Sequence, residues 1–85
     1  MQRPYSANIT PLGLNLKKIR KARGWNQDEG AEAMGIPRAL LGAYEEGRAY
    51  PRVPGLISIA EKLGVDDLMG FLKNPDFKYK TPAEL

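Results

Sequence analysis

Charged side chains are the groups that could do chemistry in this 85-residue chain, because the sequence contains no cysteine and no histidine. Those two absences remove thiolate nucleophiles, disulfides and thiolate metal ligands, together with the commonest general base and metal ligand. No pair of carboxylates is set apart for acid–base catalysis. We therefore expect no enzymatic activity, no metal site and no cofactor, which leaves a binding role.

Basic side chains are concentrated at the beginning of the chain and in one short stretch near its middle. Residues 1–25 carry six basic side chains and no acid, residues 26–47 carry five acids and one arginine, and residues 48–52 add two arginines. This asymmetry favours a polyanionic partner, of which nucleic acid is the simplest. A solvated helix face would show the same pattern, so the charge distribution leaves both interpretations open.

Apolar spacing and capping residues predict five short helices and no strand. Thr10 caps the first helix and Pro11 begins it, and apolar residues then recur on one face. The helices are predicted over residues 11–23, 27–34, 38–45, 54–63 and 66–72, with Asp66 as the cap of the last one. We expect an N-terminal arm over residues 1–9, a domain over residues 10–73 and a C-terminal tail over residues 74–85 that is extended or frayed.

The second and third helices are separated by a turn of about three residues that contains a glycine. Asn26 and Glu29 form a capping-box pattern at the start of the second helix, and Gly35 ends it. Two short helices joined in this way have the geometry of a helix-turn-helix unit.

Segments for membrane insertion or export are not expected. No apolar run approaches the ~20 residues of a membrane span. Residues 1–10 lack the apolar stretch of a signal peptide. We therefore expect an intracellular protein that does not bind membranes.

Many separate residues agree with one family in type, order and spacing. They are Leu16-Lys17-Lys18-Ile19-Arg20, Arg23-Gly24-Trp25-Asn26-Gln27, Ala31, Met34-Gly35-Ile36, Tyr44-Glu45-Glu46-Gly47-Arg48, Pro51 and Ala60-Glu61-Lys62-Leu63-Gly64-Val65. With them, residues 12–72 resemble the DNA-binding domain of the lambda-repressor-like, or Xre/Cro, helix-turn-helix family. The resemblance implies an all-α, five-helix domain that binds double-stranded DNA, most often as a transcriptional regulator, and we expect this one to be a repressor. It also implies a homodimer, at least on DNA, in a bacterial or phage-type cytoplasmic setting at the nucleoid.

The resemblance assigns contacts with the DNA backbone to two groups of residues. Asn26 and Gln27 stand at the start of the second helix, where free backbone amides and amide side chains suit a phosphate. Arg48, Tyr50 and Arg52 form a second anchor in the loop after the third helix. The alternatives are that Asn26 serves only as a helix cap and that the loop is only a solvated basic loop.

The third helix, residues 38–45, is the recognition helix by this resemblance, and its first residues would reach base edges in the major groove. Arg38, Ala39, Gly42 and Ala43 are the residues assigned to that contact. Only Arg38 can make a bidentate contact to guanine, whereas the alanines could touch thymine methyl groups. A phosphate is the alternative target of Arg38.

Arg20 and Glu45 occupy positions where this family often has an ion pair between the first and third helices. Trp25 is expected in the core. Gly30 departs from the family, which usually has a bulky apolar residue there, so we expect Tyr5, Ile9 or Trp25 to fill the space. Pro37 is a second departure, because it replaces the usual capping residue before the recognition helix.

Dimerisation is predicted through apolar residues near the C-terminus, and the candidates are Leu68, Met69, Phe71, Phe77 and Tyr79. A different function remains open on the same fold. The chain could be a protein-interaction module, or an antitoxin-type partner of another protein, that binds DNA only weakly. Binding to generic duplex DNA at low salt would separate these two functions.

Overall fold

Residues 9–80 are described by the computed structural model, and this part of the chain forms five α-helices and no strand. The helices are α1 (Pro11–Ala22), α2 (Gln27–Met34), α3 (Arg38–Glu46), α4 (Val53–Leu63) and α5 (Leu68–Lys73). Helix α3 packs against α1 and α2, while α4 packs on α2 and α5 packs on α1. The predicted all-α fold with five helices is confirmed. Most of the predicted arm and the last five residues of the tail lie outside the described residues.

The helix boundaries follow the capping residues. Thr10 Oγ1 accepts a hydrogen bond from the Gly13 amide at 3.0 Å at the start of α1. Asn26 and Glu29 form both halves of the predicted capping box at the start of α2, each at 2.8 Å. Gly35 ends α2 with a φ of 72°, a left-handed conformation that suits glycine. These local interactions explain why α1 and α2 begin where the sequence predicts.

The start of α5 differs from the prediction. Asp67 caps this helix, because its Oδ1 accepts from the Gly70 amide at 3.0 Å. Asp66 lies outside the helix, and its Oδ2 contacts Lys80 Nζ at 3.3 Å. Two adjacent aspartates can cap equally well by residue type. The choice between Asp66 and Asp67 as the cap of α5 therefore depends on the path of the chain after α4, which residue type does not specify.

The hydrophobic core includes residues from all five helices and from the segment after α5. Its buried members are Leu12, Leu16, Ile19, Ala31, Met34, Leu41, Tyr44, Leu56, Ile59, Ala60, Leu63, Phe71 and Phe77, with Trp25 half-buried against them. The rings of Phe71 and Phe77 lie 5.7 Å apart. The prediction that Phe71 and Phe77 are exposed dimer contacts is therefore wrong, because the core needs both rings.

Residues 74–80 fold back onto the domain and do not extend into solvent. Asn15 is fully buried in α1, and its Nδ2 donates to the carbonyl oxygens of Phe71 and Asn74, both at 2.9 Å. Lys18 Nζ donates to the Pro75 carbonyl at 2.8 Å. Because a buried amide donor needs a partner, Asn15 holds the end of α5 against α1.

Arg23 joins the end of α1 to the end of α4. Its Nη2 donates to the Leu63 carbonyl at 2.7 Å, and its guanidinium lies 5.6 Å from the centre of the Trp25 ring. Burial lowers the pKa of Arg23, because a low-dielectric environment disfavours the charged form. None of the helices in residues 9–80 combines the length and the apolar character needed to cross a membrane.

Candidate nucleic-acid interface

A buried ion pair connects α1 to α3. Arg20 Nε donates to Glu45 Oε2 at 2.7 Å, and Arg20 Nη2 donates to Glu45 Oε1 at 3.1 Å. The two side chains are 9% and 3% exposed. Arg20 Nη1 also donates to the Trp25 carbonyl at 3.0 Å, so all three nitrogens of the guanidinium are used. This bidentate ion pair fixes the orientation of α3 relative to α1.

Gly30 leaves room for the aliphatic part of Arg20. A Cβ atom at this position would stand 2.8 Å from Cδ and 3.0 Å from Cγ of Arg20, closer than packed carbon atoms approach. The space is therefore filled by Arg20, which is not among the three candidates that the sequence suggested. Tyr5 lies outside the described residues, Ile9 is exposed, and Trp25 is only half-buried. The small residue in α2 and the ion pair between α1 and α3 are thus parts of one arrangement.

Gln27, the first residue of α2, extends the same network to α2. Its Nε2 donates to Glu45 Oε1 at 3.2 Å, the oxygen that also accepts from Arg20. The side-chain nitrogen Nε2 of Gln27 is thereby oriented by α3. The side-chain oxygen Oε1 has no hydrogen-bond partner among residues 9–80. The three helices α1, α2 and α3 meet at Glu45.

Gly42 is the point on α3 where a side chain from α2 and one from the following loop come together. A Cβ atom there would be 3.8 Å from Gln27 Oε1 and 4.0 Å from Arg48 Nη2. Gln27 and Arg48, predicted as two separate backbone anchors, therefore lie beside the same turn of α3. This juxtaposition defines a single face that is formed by the start of α2, the middle of α3 and the loop after it.

Gly42 and Ala43 do not present the open surface that base contact requires, because both are buried. Gln27 and Arg48 lie over Gly42. Ala43 faces inward, and its carbonyl oxygen accepts from the amides of Arg48 and Ala49 at 2.9 and 3.3 Å. Arg38 and Ala39 are the exposed members of the predicted base-reading set.

Arg38 stands at the first position of α3 and lies close to the start of α2. Its Nε is 3.3 Å from Asp28 Oδ1, and the two side chains are 62% and 75% exposed. An ion pair this exposed contributes roughly 0–1 kcal/mol, so it can be exchanged for another anionic contact at little cost. Pro37 precedes the helix with a β-region backbone and provides no side-chain cap, as its side chain dictates.

The loop between α3 and α4 has one buried residue between exposed ones. Pro51 is buried, whereas Arg48, Tyr50 and Arg52 are exposed. Arg48 Nε contacts Glu46 Oε1 at 2.7 Å in a pair that is itself half-exposed. Pro51 and the hydrogen bonds to Ala43 hold the loop backbone in place. The exposed side chains of Arg48, Tyr50 and Arg52 therefore extend from an ordered backbone.

Asn26 is already engaged as a helix cap, which was one of its two predicted roles. Its Oδ1 accepts from the Glu29 amide, and its own amide donates to Glu29 Oε1. The capping box occupies two of the backbone amides that could otherwise meet a phosphate. The backbone amides of Gln27 and Asp28 are the ones at this helix end that the capping box leaves available to a phosphate.

Lys17 and Lys21 are candidates that the assignment of site residues missed. Both are exposed and stand one turn apart on α1, and they line a groove with Gln27 and Glu46. Neither lysine has a carboxylate partner within 4 Å among residues 9–80. Their spacing of four residues was visible in the sequence, but nothing in it showed that this face of α1 borders the start of α2.

No group of three or more acidic, histidine or cysteine side chains suited to a metal ion occurs within residues 9–80. The chemistry that this face offers is ionic and hydrogen-bonding contact with an anion from Gln27 and the basic side chains around it.

Comparisons with known proteins agree with this geometry. The profile of the helix-turn-helix family matches residues 16–67, which covers α2, α3 and the three-residue turn between them. The chain is 41% identical over 54 residues to the HTH-type transcriptional regulator SutR of Escherichia coli (strain K12), and the match covers 64% of this chain and 30% of that protein.

A second relative comes from a prophage. The chain is 40% identical over 54 residues to the SPbeta prophage-derived uncharacterized HTH-type transcriptional regulator YonR of Bacillus subtilis (strain 168), covering 64% of this chain and 50% of that protein. The chain thus matches half or less of the length of these two relatives. No solved structure matches it significantly. The family match spans more than half of the 85 residues, and this chain belongs to the helix-turn-helix family.

Proposed function

We propose that this protein is a transcriptional regulator that binds double-stranded DNA through the face formed by α2, α3 and the loop after α3. The observation that carries the proposal is the meeting of Gln27 and Arg48 beside Gly42. An amide and a guanidinium next to an exposed helix start are the groups that helix-turn-helix proteins direct at the DNA backbone. Both relatives are named as HTH-type transcriptional regulators.

In the proposed complex, α3 lies in the major groove with Arg38 and Ala39 nearest the bases. Gln27, Arg48, Tyr50 and Arg52 contact phosphates on either side of the groove, and Asn26 acts mainly as the cap of α2. Lys17 and Lys21 add further phosphate contacts from α1. Two exposed side chains read few base pairs, so DNA shape supplies part of the specificity.

The regulator acts as a homodimer on DNA and represses transcription by occupying its site, in the compartment that holds a bacterial or prophage genome. A second copy doubles the number of base contacts without a longer recognition helix. The small number of exposed base-reading groups is the observation that favours two copies over one.

A measurement of binding to generic duplex DNA tests the function. Labelled duplex of arbitrary sequence should bind at low salt, and the logarithm of the binding constant should fall linearly with the logarithm of salt concentration. A selection of bound fragments from a genomic library then returns the preferred site. If no duplex binds at low salt, the proposal fails.

The second candidate is a protein-interaction module, and the burial of Gly42 and Ala43 favours it because it leaves little surface for reading bases. The same titration separates the two functions. A module that only binds protein would show no salt-dependent binding to any duplex, whereas the regulator binds every duplex weakly.

A further inference from the structure

Exposed apolar side chains are concentrated at the beginning of α4. Among residues 9–80, the large apolar residues with the most exposed surface are Ile9, Tyr50, Val53, Ile57 and Met69. Val53 and Ile57 are 65% and 43% exposed and stand one turn apart on the same side of α4. We call these two side chains the α4 patch.

The α4 patch replaces the dimer surface that the sequence suggested. Phe71 and Phe77 belong to the core, so the C-terminal candidates are reduced to Met69 and the half-buried Leu68 and Tyr79. We infer that the α4 patch is the surface on which a second copy of this chain docks when both copies are bound to one DNA duplex. This inference rests on the proposed DNA-binding function.

The charge distribution along α4 suits contact with an identical helix. A two-fold axis places equal residues near each other, so a self-docking surface must avoid like charges at its centre. Residues 53–60 carry no charge, in a chain of which 27% is charged. Arg52 and Glu61 border this stretch, and antiparallel helices bring the basic end of one copy toward the acidic end of the other.

The position of the patch also fits a second copy on the same duplex. Val53 directly follows Arg52, the last residue of the proposed anchoring loop. Two copies that touch at Val53 therefore bring both loops close to the shared two-fold axis, as binding to a single duplex requires. A partner of another kind would not need to meet the protein next to its DNA-binding loop.

The small size of the patch explains why DNA is required. A stable interface buries about 800 Å² on each partner and involves about 20–30 residues a side. Two side chains and their neighbours on one helix provide much less. The contact therefore forms when the duplex brings two copies together, and it appears as cooperative binding to two half-sites.

The absence of native cysteines allows a direct test by cross-linking. Val53→Cys and Ile57→Cys are oxidised with and without the duplex returned by the wild-type selection, and Met69→Cys is the control at a similarly exposed apolar residue, 56% exposed. Disulfides form only where the two Cα atoms come within about 7 Å. We expect a disulfide dimer at position 53 or 57 only with DNA present, with at least roughly tenfold more product than at position 69.

Absence of DNA-dependent product at both α4 positions, or equal product at position 69, would overturn the inference. A second variant keeps the result independent of cross-linking geometry. Ile57→Glu should bind a full site at least roughly tenfold more weakly while binding an isolated half-site within about twofold of wild type. Equal affinity of Ile57→Glu and wild type for the full site would overturn it as well.

The two proposals fail in different ways. If wild-type protein binds no duplex, the proposed function fails and this inference falls with it. If wild-type protein binds DNA and the selected sites contain two half-sites, but neither α4 cysteine cross-links, only the docking surface is refuted.

Discussion

The junction of α1 and α3 and the loop after α3 use the same side-chain types in opposite ways. Arg20 and Glu45 form a buried pair that is almost without solvent contact, whereas Arg48 and Glu46 form a pair that is half-exposed. In the first pair, Arg20 also donates to the Trp25 carbonyl, and Glu45 also accepts from Gln27. The comparison shows that burial, rather than charge, separates residues that position the helices from residues that are free to contact a ligand.

Breaking the buried pair should have the largest effect. Glu45→Gln leaves the Arg20 charge buried without its counter-charge, a change that costs about 3–5 kcal/mol of unfolding free energy. Glu46→Gln is the matched control, because the pair that it removes is exposed and contributes roughly 0–1 kcal/mol. Denaturant unfolding of the two variants measures both costs. Equal stabilities would show that the α1–α3 junction does not depend on its ion pair.

Two glycine substitutions sharpen the same comparison. Gly30→Ala places a Cβ against the stem of Arg20 and should destabilise the protein by about 1–3 kcal/mol. Gly42→Ala meets its nearest atom at 3.8 Å and should stabilise it by up to about 1 kcal/mol through helix propensity. Thermal unfolding of both variants gives the sign of each change. A stabilising Gly30→Ala would contradict the assignment of Arg20 as the group that fills this space.

Arg38 tests whether an exposed charge at the start of α3 reads a base. Arg38→Ala should remove about 1–3 kcal/mol of discrimination at one base position of each half-site and leave generic binding nearly unchanged. Asp28→Asn, which removes the surface partner of Arg38, should keep the base preference. Competition binding with single-base variants of the selected site measures this. A uniform loss of affinity across all sequences would make Arg38 a phosphate contact.

Local signals in the sequence were sufficient to predict most of the fold. Thr10, the Asn26–Glu29 capping box and Gly35 act within one turn of the chain, so α1 and α2 begin as predicted and α2 also ends as predicted. Helix α1 ends at Ala22, one residue before the predicted end. Asn15 could not be understood in this way, because its Nδ2 binds carbonyl groups that are 56 and 59 residues away in the sequence. Phe77 joins the core by packing on Phe71, so its burial depends on how the chain turns after α5. By sequence alone, residues 74–80 resemble a polar tail. Their packing against the domain follows from the hydrogen bonds of Asn15 to the end of α5, which the sequence does not show.

The candidate site shows the same division. The sequence indicated Gln27 and Arg48 as separate anchors, but their meeting over Gly42 depends on the angle at which α2 crosses α3. In the folded protein Ala43 is buried, whereas Arg38 and Ala39 are exposed. The filling of the Gly30 space by Arg20 could not be predicted either, because Arg20 was considered only as a charge and not as an aliphatic stem.

The salt dependence of binding by Arg48→Ala tests the central claim most directly, namely that the face around Gly42 contacts DNA. Loss of one phosphate contact should reduce the magnitude of the slope of log K against log salt by roughly 0.9 per subunit, while leaving stability near wild type. Lys73→Ala, which removes an exposed charge from α5, is the control and should leave the slope unchanged. A smaller slope for Arg48→Ala alone is the predicted result. Wild-type slopes for both variants would contradict the account.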